Sequence, residues 1–297
     1  MSQPAPALRR AAESLSGALP PLMVAAEHLA NSVLPGAHGR RRIGPGAEFW
    51  QFRPSGPGDA ATRIDWRRSG RGDDLFVRET EWQAARAVTL WVDTGAAMAF
   101  SGDPARETKA ARARLLSLAL ALVLLRGGER VGLAQADLPP RAGRGQAELL
   151  TMALAQDGAA GGGATEHGAP DLHAAPAGGH VVLFSDFLGD LATVEGALHL
   201  AAARSMRGIL VQLLDPVEES FPFDGRTRFE SLSGHMSYET LRAGDLRAQY
   251  RDRLAARKDH LAGLARHSGW HATTMHTDRP PAEGLLWLYH ALGEGRR

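Results

Sequence analysis

Two stretches of the chain share one pattern, an apolar, β-branched-rich run that ends on an aspartate. They lie within Val88–Met98, VTLWVDTGAAM, and Val181–Phe187, VVLFSDF. A short apolar run closed by a polar turn reads as a strand buried on both faces, as in a parallel sheet. A third run, 208–214 (GILVQLL), stops at Asp215-Pro216. Further strands are predicted at 74–82, 130–135 and 269–275. Helical periodicity predicts helices over 104–126, 144–157, 190–205, 244–267 and 281–292. The first of these has Asp103-Pro104 as cap and first turn and Gly127-Gly128 as its stop. Residues 158–179 read as a loop, and the polar stretch 217–237 as a hairpin. Residues 8–33 are amphipathic, with Pro20-Pro21 separating two helices.

From residue 87 onward strands alternate with helices, which implies a mainly parallel sheet with helices on both faces. The predicted organisation is a helical N-terminal segment (1–36), an arginine-rich segment containing a β-hairpin (37–86) and a doubly wound α/β domain (87–297). In open α/β sheets ligands and partners sit beyond the carboxyl ends of the strands. Asp93 and Asp186 are therefore predicted to lie at one edge of the sheet, where a site would be.

Composition narrows the chemistry. The chain has 297 residues, 44% hydrophobic and 23% charged, with a formal net charge of +1. That balance gives no global attraction to nucleic acid or to an anionic membrane. The chain has no cysteine, which excludes disulfides, thiolate catalysis and cysteine-held metal. The most apolar run, Leu115–Leu125, is shorter than the ~20 residues needed to span a bilayer and reads as a buried helix. No signal peptide is expected, since Arg9 and Arg10 precede only short apolar pieces. A cytoplasmic protein without membrane insertion is expected.

Enzyme motifs are missing. There is no phosphate-binding loop, no dinucleotide fingerprint after a strand, no nucleophile elbow and no HExxH. His167 and His173 fall in the 158–179 loop and read as solvated. A metal reading is better founded. Mg²⁺ wants an octahedral set of oxygens, and Asp93 and Asp186 could supply two carboxylates. Gly95 and Ala97, two and four positions after Asp93, offer no side-chain oxygen. Weak or no Mg²⁺ binding, and no other cofactor, is the expectation. The alternative is a metal-dependent, hydrolase-like enzyme using Asp93 and Asp186.

The segment 40–79 is dense in arginine, acids and tryptophan. Arginine forks pair with carboxylates and stack on rings. Arg63, Asp65, Trp66, Arg67, Arg78 and Glu79 are predicted to form a structural or docking network, with Trp50 and Trp66 plugging a polar hairpin. Arg40–Arg42 beside an acid-containing stretch is a weak nucleic-acid signal, and no nucleic-acid partner is expected.

GRRRIGPGAEFW at 39–50, PGDAATRIDW at 57–66 and LFVRE at 75–79 resemble, in order and spacing, the signature of the domain of unknown function 58 family. The resemblance implies a domain similar to von Willebrand factor type A, with its metal-ion-dependent adhesion site. Of that site's DxSxS motif Asp93 matches the aspartate, while Gly95 and Ala97 replace both serines. Asp186 matches the third-loop aspartate and Thr165 the second-loop threonine. The implied site is degenerate. The resemblance further implies a chaperone-like, non-enzymatic adaptor that works with a MoxR-type AAA+ ATPase, and with other von Willebrand A-type proteins, in maturing or activating client proteins.

Overall fold

The computed structural model describes residues 21–33, 49–56, 64–70, 72, 74–80, 85–159, 165–234 and 236–294. The chain divides into two compact units, one of residues 36–85 and one of 1–35 with 86–297.

In the smaller unit, strands β1 (Phe49–Pro54) and β2 (Phe76–Thr80) pair antiparallel, with Phe52 opposite Arg78. A long connection joins them and carries the four-residue helical turn Trp66–Ser69. Asp65 caps that turn: its carboxylate accepts the amides of Arg67 (3.1 Å) and Arg68 (3.0 Å). The Ser69 hydroxyl in turn accepts the Phe76 amide at 2.9 Å, tying the turn to β2.

The larger unit is built on strands β3 (Ala87–Val92), β4 (Arg130–Leu133), β5 (Leu138–Arg141), β6 (His180–Ser185), β7 (Arg207–Leu214) and, after a hairpin of β8 (Thr227–Glu230) and β9 (Ser237–Thr240), β10 (His271–His276). Its sheet runs β10-β7-β6-β3-β4-β5, parallel throughout except that β5 is antiparallel to β4. Numbered along the chain, the six strands lie in the order 3-2-1-4-5-6 of doubly wound folds, and the order reverses between β3 and β6.

Side chains alternate between the two faces of the sheet. Val88, Leu90, Val92, Val182, Phe184, Ile209, Val211 and Leu213 enter one core, beneath the helices Pro21–Val33, Lys109–Arg126, Arg144–Ala159 and Pro281–Glu294. Trp91, Val181, Leu183 and Leu210 enter the other, beneath the helices Leu191–Ala203 and Ala243–His267. The apolar run Leu116–Leu125 is buried, as its composition predicts. Among the described residues no helix is long and apolar enough to cross a membrane.

Three local expectations change. The helix predicted from 104 starts at Lys109, capped by Thr108, whose hydroxyl accepts the Ala111 amide at 3.1 Å. Asp103 instead closes a turn on Ala105, so residues 103–108 form a loop and Arg106 is free to reach across the sheet edge. Strand β5 has no counterpart in the sequence reading, because Pro139 and Pro140 argue against a strand; an edge position tolerates them. Third, the one helix described before residue 34 packs with the α/β unit: Met23, Ala26, Leu29 and Ala30 are buried in its first core. Any helix between 8 and 20 lies outside the described residues.

Candidate functional site

The strand-order reversal puts Asp93 and Asp186 at the same edge. Strands β3 and β6 are parallel neighbours with Val92 opposite Phe184, and the Asp93 amide donates to the Phe184 carbonyl at 2.8 Å. The predicted juxtaposition is therefore present. Both carboxylates are buried, at 2% and 0% exposure.

Their partners differ. Asp93 is held by neutral donors: the Ser185 hydroxyl (2.6 Å) and the amides of Gly95 (2.7 Å) and Gly168 (2.8 Å). The loop 165–168 lies against the turn after β3, with the amides of Ala96 and Ala97 donating to the carbonyls of Thr165 and Glu166. This close approach explains the glycines. A Cβ on Gly95 would sit 2.6 Å from the Glu166 carbonyl oxygen, and one on Gly168 would sit 2.4 Å from Asp93 Oδ1. Glu166 continues the path outward by accepting the amides of Leu232 (3.2 Å) and Ser233 (2.9 Å) in the β8–β9 turn.

Asp186 is held by ions. Its Oδ2 accepts from the Lys109 ammonium at 2.8 Å, and its Oδ1 accepts the Leu188 amide at 2.9 Å. His167 Nδ1 stands 3.6 Å from Oδ1, beyond hydrogen-bond range but close enough for an ion pair when the ring is protonated. Lys109 is 1% exposed and also donates to Glu218 Oε1 at 2.6 Å. Burial pushes the Asp186 carboxyl up, but His167, the Lys109 charge and the Leu188 amide outweigh it and hold the group well below the usual carboxylate range. Burial pushes Lys109 down, and the two carboxylates more than reverse that. Glu218 is raised, because burial and the neighbouring Asp186 charge outweigh its share of the single ammonium. For His167 the approach of Asp186 outweighs burial, and the imidazole is raised.

A third strand-end aspartate completes the edge. Asp215, after β7, accepts from Arg106 Nη1 with both carboxylate oxygens (3.1 and 3.0 Å), and also accepts the Thr277 hydroxyl (3.0 Å) and the Val217 amide (2.9 Å). Its amide donates to Glu218 Oε2, so Glu218 links the Asp215 and Lys109 groups. Beside Asp93, a cavity of about 130 Å³ is lined by Trp91, His167, Ser185, Phe187, Leu191 and Val194.

Of the residues singled out in the sequence, Asp93 and Asp186 meet at the site. Thr165 is exposed and joins the site's loops through its carbonyl. His167, read as solvated, is half-buried against Asp186, whereas His173 is exposed as expected. In the arginine-rich segment Asp65 holds backbone amides rather than a guanidinium in its described contacts, because it starts a helical turn. Trp66 is 62% exposed and does not plug a core. Arg67 is exposed, and it is Arg68 that stacks on a ring, 5.2 Å from the Phe76 centroid. Arg63 and the side chains of Trp50, Arg78 and Glu79 lie outside the described residues. The sequence reading leaves out Lys109, Arg106 and Glu218. Lys109 is one of three cations, with Arg112 and Arg114, in the first turns of this helix, and nothing local sets it apart; Asp215 carries the same run-then-aspartate pattern as Asp93 and Asp186.

The residues present do not fit a divalent cation. The Asp93 oxygens are taken by three donors, an ammonium lies on Asp186, and loop 165–168 fills the space a serine at 95 would need. Among the described residues no three His, Asp or Glu side chains are gathered as metal ligands.

No curated protein matches the chain. Among solved structures the chain is similar to the conserved hypothetical protein BatB from Bacteroides thetaiotaomicron, at 12% identity and a TM-score of 0.39, over 71% of this chain and 100% of that one. The family model described as "Protein of unknown function DUF58" matches residues 51–260, most of the chain, which therefore belongs to the DUF58 family.

Proposed function

We propose that this chain is a non-enzymatic adaptor of the cytoplasm, its α/β unit of the von Willebrand factor A type. Its partners are a MoxR-type AAA+ ATPase and other von Willebrand A-type proteins, with which it matures or activates client proteins. The observation that carries the non-enzymatic part is the engagement of all three strand-end aspartates by donors of the chain itself. A general base or nucleophile must reach a substrate proton or atom, and these carboxylates are buried against internal partners. The alternative, a hydrolase using Asp93 and Asp186, would require them to shed those partners. The von Willebrand type is supported by the strand order and by aspartates at its reversal. The docking role is supported by the β8–β9 hairpin, which is tied to the site through Glu166 and exposes Met236 (75%) and Tyr238 (58%). Exposed apolar residues on a polar frame suit protein contact.

The test is gel filtration of the purified chain with the purified ATPase, in ATP, in ADP and without nucleotide. A complex is expected in at least one nucleotide state, and Met236→Asp with Tyr238→Asp should abolish it without changing the melting temperature. Failure to co-elute in every state would overturn the reading.

A further inference from the structure

Lys109 stands where the helix dipole and burial both disfavour it. It opens the helix Lys109–Arg126, whose N-terminus carries partial positive charge, and it is 1% exposed. What offsets those costs is a pair of carboxylates from two other elements. Asp186 follows β6 and Glu218 lies in the short helix Pro216–Ser220, at 2.8 and 2.6 Å from the ammonium. The Phe100 ring, its centroid 5.6 Å away, adds a further face for the cation. The lysine thus joins three segments that meet at the sheet edge: the start of the helix after β3, the loop after β6 and the turn after β7. A divalent ion would bind through the same Asp186 oxygens and would meet the ammonium's like charge.

We propose that the Lys109 ammonium is the resident cation of this crevice. It offsets the charge of Asp186, binds Glu218 as well and fixes the surrounding loops, so that the edge is assembled without a metal. A negative result in the ATPase assay would leave this assignment standing, because it depends on the ion geometry alone.

The test is thermal unfolding of the full chain in EDTA and in millimolar Mg²⁺ or Mn²⁺, at ionic strength matched with NaCl. The wild type is expected to melt at the same temperature in all three. Lys109→Met should melt on the order of 10 °C lower in EDTA, since it leaves buried carboxylates uncompensated. It should regain several degrees with Mg²⁺ or Mn²⁺, and adding Glu218→Gln should abolish that regain. Calorimetric titration of Mg²⁺ into the wild type, expected to give no binding heat, keeps the test decisive if Lys109→Met does not fold. Metal stabilisation or binding heat in the wild type that is lost in Asp186→Asn would overturn the assignment. So would Lys109→Met melting like the wild type in EDTA, or melting identically with and without divalent ions.

Discussion

The ends of β3 and β6 are near copies in sequence and opposites in chemistry. Each strand is apolar, each stops at an aspartate, and the two aspartates are buried at neighbouring positions. At β3 the carboxylate gathers a hydroxyl and two amides, all neutral, from its own turn, from β6 and from loop 165–168. At β6 it gathers a lysine and approaches a histidine. One pattern therefore serves two tasks: Asp93 organises backbone, and Asp186 balances charge. Neutral donors leave little electrostatic debt when one is lost, whereas an ion pair in a dry interior leaves an uncompensated charge.

That difference predicts unequal costs. Asp186→Ala leaves Lys109 buried with Glu218 alone and should destabilise by about 3–5 kcal/mol, the range for breaking a buried pair from one side. Asp93→Asn keeps an acceptor for the Gly95 and Gly168 amides and should cost about 1 kcal/mol. Urea denaturation of the two variants checks both. Equal losses would erase the distinction between the two strand ends.

Gly95 offers a sterically sharper probe of the β3 side. Replacing Gly95 and Ala97 with serine would restore the adhesion-site pattern in sequence, yet a Cβ at 95 meets the Glu166 carbonyl, which is backbone and cannot swing away. The double change should lower stability by about 1–3 kcal/mol, as overpacking does, without creating Mg²⁺ binding. A gain in Mg²⁺ affinity measured by calorimetry would show that loop 165–168 yields.

Much of this edge is legible from the chain, and the reason is local. A parallel strand is buried on both faces, so β3, β6 and β7 read as continuous apolar runs, and the residue ending each run lands at the sheet's carboxyl edge. The charge partners are not local. Lys109 reaches Asp186 across 77 positions and Glu218 across 109, and no periodicity encodes such a pairing. The helix start was misplaced for a related reason: Asp103-Pro104 is a sound cap by type, but Thr108 takes the role once Arg106 pairs with Asp215. The arginine-rich segment shows a third limit. Residue type suggested an ion network at Asp65, while a following helical turn offered its amides to the same carboxylate.

Asp65 therefore supplies a baseline for an aspartate whose side chain, among the described residues, holds backbone amides. Asp65→Ala should cost about 1 kcal/mol, the usual worth of an N-cap, and Asp65→Asn should recover most of it. Far-ultraviolet circular dichroism melts of the pair check this. A loss as large as that of Asp186→Ala would reinstate an ion network in the segment.

The smallest effect lies at the opposite end of β6, where the strand begins with His180. Its two ring nitrogens are buried without a hydrogen-bond partner among the described residues. Burial, with Arg86 and Arg207 nearby, holds the imidazole below its ordinary value. A histidine with a depressed folded pKa favours the neutral ring, so its contribution is fully present above pH 6.5 and is lost as pH falls from there through the folded value. The wild type should lose melting temperature between pH 7 and pH 5, and His180→Leu should flatten that part of the curve. Asp186, at the far end of the strand, does not interfere, because it is held well below this range. If His180→Leu keeps the full slope, the titrating group is elsewhere. His167 is not that group: its folded pKa is raised, so its contribution is present below pH 6.5 and fades as pH rises, which is a slope of the opposite sign. One strand thus begins with a histidine that acid penalises and ends beside one that acid favours, so His167→Leu should steepen the acid-side slope that His180→Leu flattens.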